Sequence, residues 1–279
     1  MGRRIMEWAA RSDYMGGIPR KMVLTAVGGL AKAVVSLFNS TTVHNADTLL
    51  RLVRSRPNGV PLVTVSNHMS TMDDPFLWAF KGFPITDANL SRGGICFYVV
   101  IWSGKCIPIT RGGGIYQEHM NEALERLSEG SWLHTFPEGK VYQEDAPIRR
   151  LKWGTASLIA RAPVNPIVLP IVHTGFEQVM PDKFHRGKRP PFPLWNKDIK
   201  IIVGEPMDLD LPEMRQMATS LSRNTSHSTL GWPSSCPGGL DEAAQKHLYS
   251  AISEKIQNVM ERLRIFAKSF SKSRDQNLC

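Results

Sequence analysis

Residues 61–82, PLVTVSNHMSTMDDPFLWAFKG, decide the fold. Leu62, Val63 and Val65 make residues 61–66 a short apolar run with β-branched side chains, which reads as a strand. The next residues turn polar. Asp74 and Pro75 then suit an N-cap and a first helical position, and a helix-like run follows over residues 76–82. Strand, turn and helix in that order open a βαβ unit. His68 falls in the turn at the strand's carboxyl end, where catalytic groups of open α/β sheets gather.

Working outward, brief runs rich in Val, Ile or aromatic residues predict further strands at 106–110, 131–136, 167–172 and 199–203. Between them, Met120, Ala123, Leu124 and Leu127 recur at helical spacing within residues 116–127, and Gly130 stops that helix. Residues 153–162 read as a second, buried helix. The alternation predicts an α/β fold with a mainly parallel sheet, flanked by helices joined through right-handed crossovers. The proline-rich basic stretch 181–197 and the Ser/Thr/Gly/Pro-rich stretch 219–239 are expected to be loops. Residues 241–270 form a long amphipathic pattern with Ala244, Leu248, Ile252, Ile256, Val259, Leu263 and Phe266 on one stripe. Arg262, Arg264 and Lys268 in its late turns complement a helix dipole or dock onto anionic lipid.

The most apolar stretch, MVLTAVGGLAKAVVSLF at residues 22–38, is shorter than the roughly 20 residues of a spanning helix and contains Lys32. It is expected to lie at a membrane interface, the alternative being a core helix of a soluble domain. The chain therefore divides into an N-terminal segment with this interfacial helix (1–41), a catalytic domain (42–218), a flexible loop (219–239) and the C-terminal amphipathic helix with its tail (240–279).

With 279 residues and 42% hydrophobic content there is material for one sizeable core. The net charge of +9 favours anionic partners. Nucleic acid is set aside, because zinc-finger spacing, an aromatic RNA-recognition signature and a basic helix leading into heptads are all missing. Cys96, Cys106, Cys236 and Cys279 form no C-x-x-C pair and are expected to be reduced thiols. Residues 1–20 mix acidic and basic side chains and do not read as a signal peptide, and Met6 stands where a myristoylation signal needs Ser or Thr.

His68 and Asp73 suit general base catalysis: a neutral imidazole takes a proton from an attacking hydroxyl or amine while a carboxylate orients it. A direct contact between them requires the chain to turn. With eight histidines in the chain, about 0.4 His-x4-Asp spacings arise by chance, so the pair needs support. Three further blocks supply it. Arg111, flanked by glycine within GKCIPITRG (104–112), suits phosphate binding. Glu138 and Gly139 sit in the turn FPEGK (136–140) after another strand. VLPIVH (168–173) is an apolar run whose proline suggests an edge strand or bulge. His44 with Asp47, His134, His173 with Glu177, and His185 form no recognised ligand set, so no metal site is expected. A Walker A loop and a G-x-S-x-G elbow are absent, the second arguing against a hydrolase.

In order and context these blocks resemble the glycerolipid acyltransferase family. Several details look like its tafazzin branch in plant form: Asp73-Asp74-Pro75, Gly104-Lys105-Cys106, FPEGKV (136–141), LKWG (151–154), PIVLPIV (166–172) and VGEP (203–206). The resemblance implies that His68 is the base and Asp73 its partner. It implies that Arg111 binds the acceptor's phosphate, that Glu138 and Gly139 shape the same site, and that Asn67 and Ser70 support the substrate side. The acceptor would be a lysophospholipid or phospholipid, remodelled as tafazzins do, or alternatively the amine of phosphatidylethanolamine. The donor would be acyl-CoA or a phospholipid, with no other cofactor. A phospholipid membrane surface carrying anionic lipid is the implied partner. A mitochondrial membrane is the implied location, with plasma membrane or endoplasmic reticulum as alternatives. The stretch 92–103 is shorter than the branch implies, which keeps a catalytically inactive membrane-binding protein as the competing class.

Overall fold

The structure, a computed structural model, describes residues 18–83, 94–95, 107, 112–222 and 240–275. Its first half comprises helix α1 (Ile18–Ser36), strand β1 (Ser40–His44), α2 (Ala46–Ser55), β2 (Leu62–Ser66), α3 (Asp73–Leu77) and the short β3 (Gly94–Ile95). Then follow α4 (Glu118–Ser128), β4 (Trp132–Thr135), α5 (Trp153–Arg161), β5 (Ile167–Thr174), α6 (Phe176–Val179), β6 (Asp198–Val203), α7 (Leu211–Ser222) and α8 (Glu242–Asp275). The strands form one six-stranded sheet in the order β1-β6-β5-β2-β4-β3. Neighbours run parallel except β5 against β6. The expected α/β class, with its mainly parallel sheet and long C-terminal helix, is what the chain adopts.

Alternation along the strands splits the core into two layers. Val63, Val65, Leu133, Val168 and Val172 face the apolar sides of α4, α5, α7 and α8, which supply Met120, Leu158, Ala218 and Ile252. Leu62, Leu169, Ile171, Ile199 and Ile201 face α1, α2, α3 and α6, which supply Val35, Leu49, Phe76 and Phe176. Strands with apolar side chains on both faces are those of a sheet covered by helices on both sides.

Several sequence expectations change in detail. β1 is an edge strand paired with β6, where the sequence predicts no strand. Its alternating exposed and half-buried side chains, STTVH, carry little apolar signal. The expected strand at 106–110 lies outside the described residues apart from Ile107, which is buried and belongs to no strand. Arg111, the stretch 92–103 apart from β3, and most of 219–239 also lie outside them. No helix is expected at α2 or α7, and the last turn of α7, residues 219–222, is helical where the expected loop 219–239 begins.

β5 is an interior strand despite Pro170. The Pro170 carbonyl accepts the Gly204 N–H at 2.9 Å just past the end of β6, and antiparallel pairing resumes at Val168 with Met207 one residue out of step, so the ring's missing donor falls at a bulge, as the proline suggests. α3 starts earlier than Asp74 and Pro75 suggest, with Met72 as a cap whose side chain makes no cap bond.

The C-terminal half of α1 packs into the core through Ala31, Val34 and Val35. Lys32 donates to the Phe83 carbonyl at 3.1 Å and Ser36 to the Ala79 carbonyl at 3.0 Å. Met22 and Leu30 stay exposed, and no described helix is long and apolar enough to cross a membrane. On α8 the buried stripe runs through Ile256, Met260 and Ala267 instead of turning to Phe266. Phe266 lies over the His44 ring, with centroids 5.1 Å apart. Because α8 continues to Asp275, Arg262, Arg264 and Lys268 are not in its last turn, and the dipole explanation falls away.

Candidate active site

Three parallel neighbours, β5, β2 and β4, end together, and their carboxyl ends carry the site. Past β2, the chain bends back over residues 67–72 so that His68 Nδ1 and Asp73 Oδ2 stand 2.9 Å apart. The turn is built on that carboxylate. Oδ2 also accepts the Met69 N–H at 2.6 Å and the Ser70 N–H at 2.8 Å, which holds an otherwise unsatisfied loop backbone. Asp73 is wholly buried, His68 nearly so. A carboxylate only accepts, so Nδ1 carries the hydrogen of a neutral His68 and Nε2 keeps its lone pair. The His68 ring stacks on Phe136, centroids 4.2 Å apart, which fixes its plane.

The main chain of His68 is held from β4's side. Glu138 Oε1 accepts the His68 N–H at 3.0 Å, and the His68 carbonyl accepts the Tyr142 N–H at 2.8 Å. Burial raises the Glu138 carboxyl above its ordinary range, partly offset by the His68 N–H bond. Gly139 completes the turn at φ +67°, its N–H bonded to the Phe136 carbonyl, in a conformation that favours glycine.

Asn67 joins β2 to β5. Its amide exchanges bonds with the His173 backbone, 2.9 Å each way, and its carbonyl lies 2.8 Å from His173 Nε2. Ser70 is fully buried and its hydroxyl accepts the Met72 N–H at 3.2 Å. The resemblance groups both with the substrate-side residues, whereas their polar groups hold the catalytic turn.

Two histidines that form no ligand set in the sequence lie under the catalytic turn. His134 on β4 lies between Thr64 Oγ1 (2.8 Å) and Ser66 Oγ (3.2 Å), and burial lowers its pKa to about 3. His173 on β5 stands 3.7 Å from Asp73 Oδ2 and is likewise lowered, chiefly by burial. Neutral imidazoles beneath His68 avoid placing a second charge against the pair. His173 closes the fourth block in the sequence; His134 had no signal beyond its place on a strand.

A cleft opens beside this turn, floored by Asn67, Met69, Glu138 and Thr174 and walled by residues 142 and 144–149 with Arg264 and Lys268 of α8. The wall is tied to α8. Arg264 Nη2 and Nε bond Glu261 at 2.6 and 2.8 Å, Arg264 and Lys268 both pair with Asp145, and Glu261 Oε2 accepts the Ile148 N–H at 2.9 Å. Arg149 lies 3.9 Å over the Tyr142 ring.

A buried His-Asp pair with a lone pair left free beside a cleft performs proton transfer in many unrelated reactions. Comparison with known proteins narrows the choice. The family model described as Acyltransferase matches residues 40–174, from the start of β1 to the end of β5. A protein of Arabidopsis thaliana named N-acylphosphatidylethanolamine synthase is 60% identical over 280 residues, covering 95% of this chain and 99% of that one. This chain belongs to the acyltransferase family. The acyltransferase is also similar to the tafazzin of Drosophila melanogaster, 37% identical over 205 residues, or 68% of this chain and 52% of that one. For the tafazzin of Saccharomyces cerevisiae the figure is 29% over 210 residues, 57% of this chain and 55% of that one. The family match of this enzyme encloses all three strand ends on which the site is built.

Proposed function

We propose that this acyltransferase transfers a fatty acyl group to a glycerophospholipid acceptor, the amine of phosphatidylethanolamine, with His68 as general base. The observation that carries the reading is the 2.9 Å contact of His68 Nδ1 with a buried Asp73 carboxylate, beside an open cleft. Identity of 60% across nearly the whole chain to a protein named for that product supports the amine over the lysophospholipid hydroxyl that the tafazzin resemblance favoured.

In this mechanism His68 Nε2 takes the proton as the neutral amine nitrogen attacks the acyl carbonyl carbon. Asp73 holds the ring and stabilises its cationic form. The tetrahedral intermediate then collapses, breaking the bond to the leaving group, a thiolate from acyl-CoA or an alkoxide from a phospholipid. The leaving atom recovers the proton from His68. Glu138 acts through the backbone of His68 as a positioning residue. Arg111 binds the acceptor's phosphate by family resemblance, with Arg149, Arg264 and Lys268 as further cations on the cleft wall. The reaction takes place at a membrane surface, in mitochondria by the tafazzin resemblance.

The test offers labelled acyl-CoA or labelled phosphatidylcholine as donor, with phosphatidylethanolamine, monolysocardiolipin or lysophosphatidylcholine as acceptor. We expect N-acylated product, and a loss of about 10²–10⁴-fold in kcat for His68→Ala, with circular dichroism checking that the variant is folded. Transfer to the lyso-acceptors alone overturns the amine assignment. Transfer that survives His68→Ala overturns the mechanism.

A further inference from the structure

The loop between α6 and β6 places large apolar side chains in solvent. Phe184, Phe192 and Trp195 are 53%, 75% and 72% exposed. On the turn after α1, Leu37 and Phe38 are 77% and 57% exposed. Hydrogen bonds hold the two segments together. Asn196 N donates to the Phe38 carbonyl at 2.8 Å, Lys197 N to Asn39 Oδ1 at 2.8 Å, and Ser40 N to the Lys197 carbonyl at 2.9 Å. Asn39 Nδ2 reaches the Val34 carbonyl at 2.7 Å and the Leu194 carbonyl at 3.4 Å. The backbone is therefore ordered while these side chains stay uncovered. Single exposed apolar residues are ordinary, but five on two joined segments mark a docking face.

The charge on this face identifies its occupant. Residues 181–197 carry Lys183, Arg186, Lys188, Arg189 and Lys197 against one acid, Asp182, which pairs with Arg189 at 2.6 Å. Protein interfaces are depleted in lysine and centre on desolvated pockets. Here protruding aromatic side chains alternate with cations, the arrangement that seats a surface among anionic headgroups. The loop is also joined to the cleft. Gln143 donates to the Met180 carbonyl at 3.0 Å and accepts the Asp182 N–H at 2.6 Å, and its neighbour Tyr142 both lines the cleft and binds the His68 carbonyl.

We propose that residues 181–197, with Leu37 and Phe38, form the face by which the enzyme docks onto an anionic phospholipid bilayer, bringing the cleft to headgroup level. The proposal rests on the phospholipid reading of the site and names the surface from which that substrate is drawn.

Flotation with vesicles of phosphatidylcholine, alone or mixed with phosphatidylglycerol, tests it on the wild type, Phe192→Ser/Trp195→Ser, Lys183→Gln/Lys188→Gln, and Met217→Ser as an exposed apolar control on α7. Transfer to a short-chain acceptor in detergent is measured in parallel. The aromatic pair is expected to lose about tenfold or more in binding to both vesicles. The lysine pair should lose only the preference for anionic vesicles, by about fivefold per residue. Melting temperature and detergent activity should be unchanged in both, and Met217→Ser should bind like the wild type. Wild-type vesicle binding by both pairs overturns the proposal. So does self-association of the wild type that Phe192→Ser/Trp195→Ser abolishes while vesicle binding persists. If detergent transfer is absent in the wild type yet the aromatic pair still loses vesicle binding, docking stands and the catalytic reading fails.

Discussion

At the residue scale the catalytic turn depends on one carboxylate oxygen. Asp73 Oδ2 receives His68 Nδ1 and two backbone N–H groups, so it sets both the shape of the loop and the tautomer of the base. Asp73→Asn is expected to lower kcat by about 10³-fold or more, since an amide no longer enforces the Nδ1–H tautomer or balances an imidazolium. Steady-state kinetics with circular dichroism as a fold control measures this. Glu138 allows a finer test. Glu138→Gln keeps an acceptor for the His68 N–H, whereas Glu138→Ala leaves a buried donor unpaired at about 1–3 kcal/mol. Alanine should therefore reduce kcat and melting temperature well beyond glutamine, with KM moving less. Equal loss for both variants would instead place the Glu138 charge on the substrate. His68 and Asp73 were readable at a spacing of five because a turn-forming stretch separates them. Nothing in the linear order showed that Asn67 would spend its amide on His173, 106 residues away.

At the element scale the site is three strand ends held in register. Gly175 joins β5 to α6 at φ +99°, and a Cβ there would lie 2.2 Å from the Asp198 carbonyl oxygen at the start of β6. Gly175→Ala must push β5 and β6 apart and disturb His173, which anchors Asn67. We expect about 1–3 kcal/mol from the backbone conformation alone, with more from the clash, and a parallel loss of activity. Chemical denaturation beside an activity assay checks it, and a variant that keeps both would show that β5 has slack here. Periodicity made α4 and α8 readable, as their buried faces are one-sided, whereas α5 was readable as an apolar run buried on every side from Thr155 to Ala160. β1 escaped because an edge strand needs few apolar residues; of the two readings of Pro170, the edge strand fails and the bulge holds, because a proline's tolerance in a strand depends on what its neighbour is doing. In β5 that neighbour has already turned away at Gly204.

For the whole molecule, burying neutral histidines in the core makes stability depend on pH. The folded chain refuses a proton at His134 until about pH 3, whereas the unfolded chain takes it near pH 6.5. The contribution of His134 to stability should thus be fullest above pH 6.5 and fall by about 1.4 kcal/mol per unit as the pH drops toward 3, with His173 adding in the same direction and the raised carboxyls of Asp74 and Glu138 opposing it. Denaturant midpoints from pH 7 to 4 should fall less steeply in His134→Gln than in the wild type. Identical slopes would mean the imidazole is protonated in the fold. The α/β class, strands β2, β4, β5 and β6, helices α4, α5 and α8, and the candidacy of the His68 turn were written in the chain, because local periodicity and turn residues act over a few positions. The pairing of β5 with β6, the neutral histidine floor, the α8 wall of the cleft and the exposed aromatic face beside it arise from contacts between distant segments. Burial and desolvation are properties of that three-dimensional neighbourhood, and they come into being when the sheet closes its two layers.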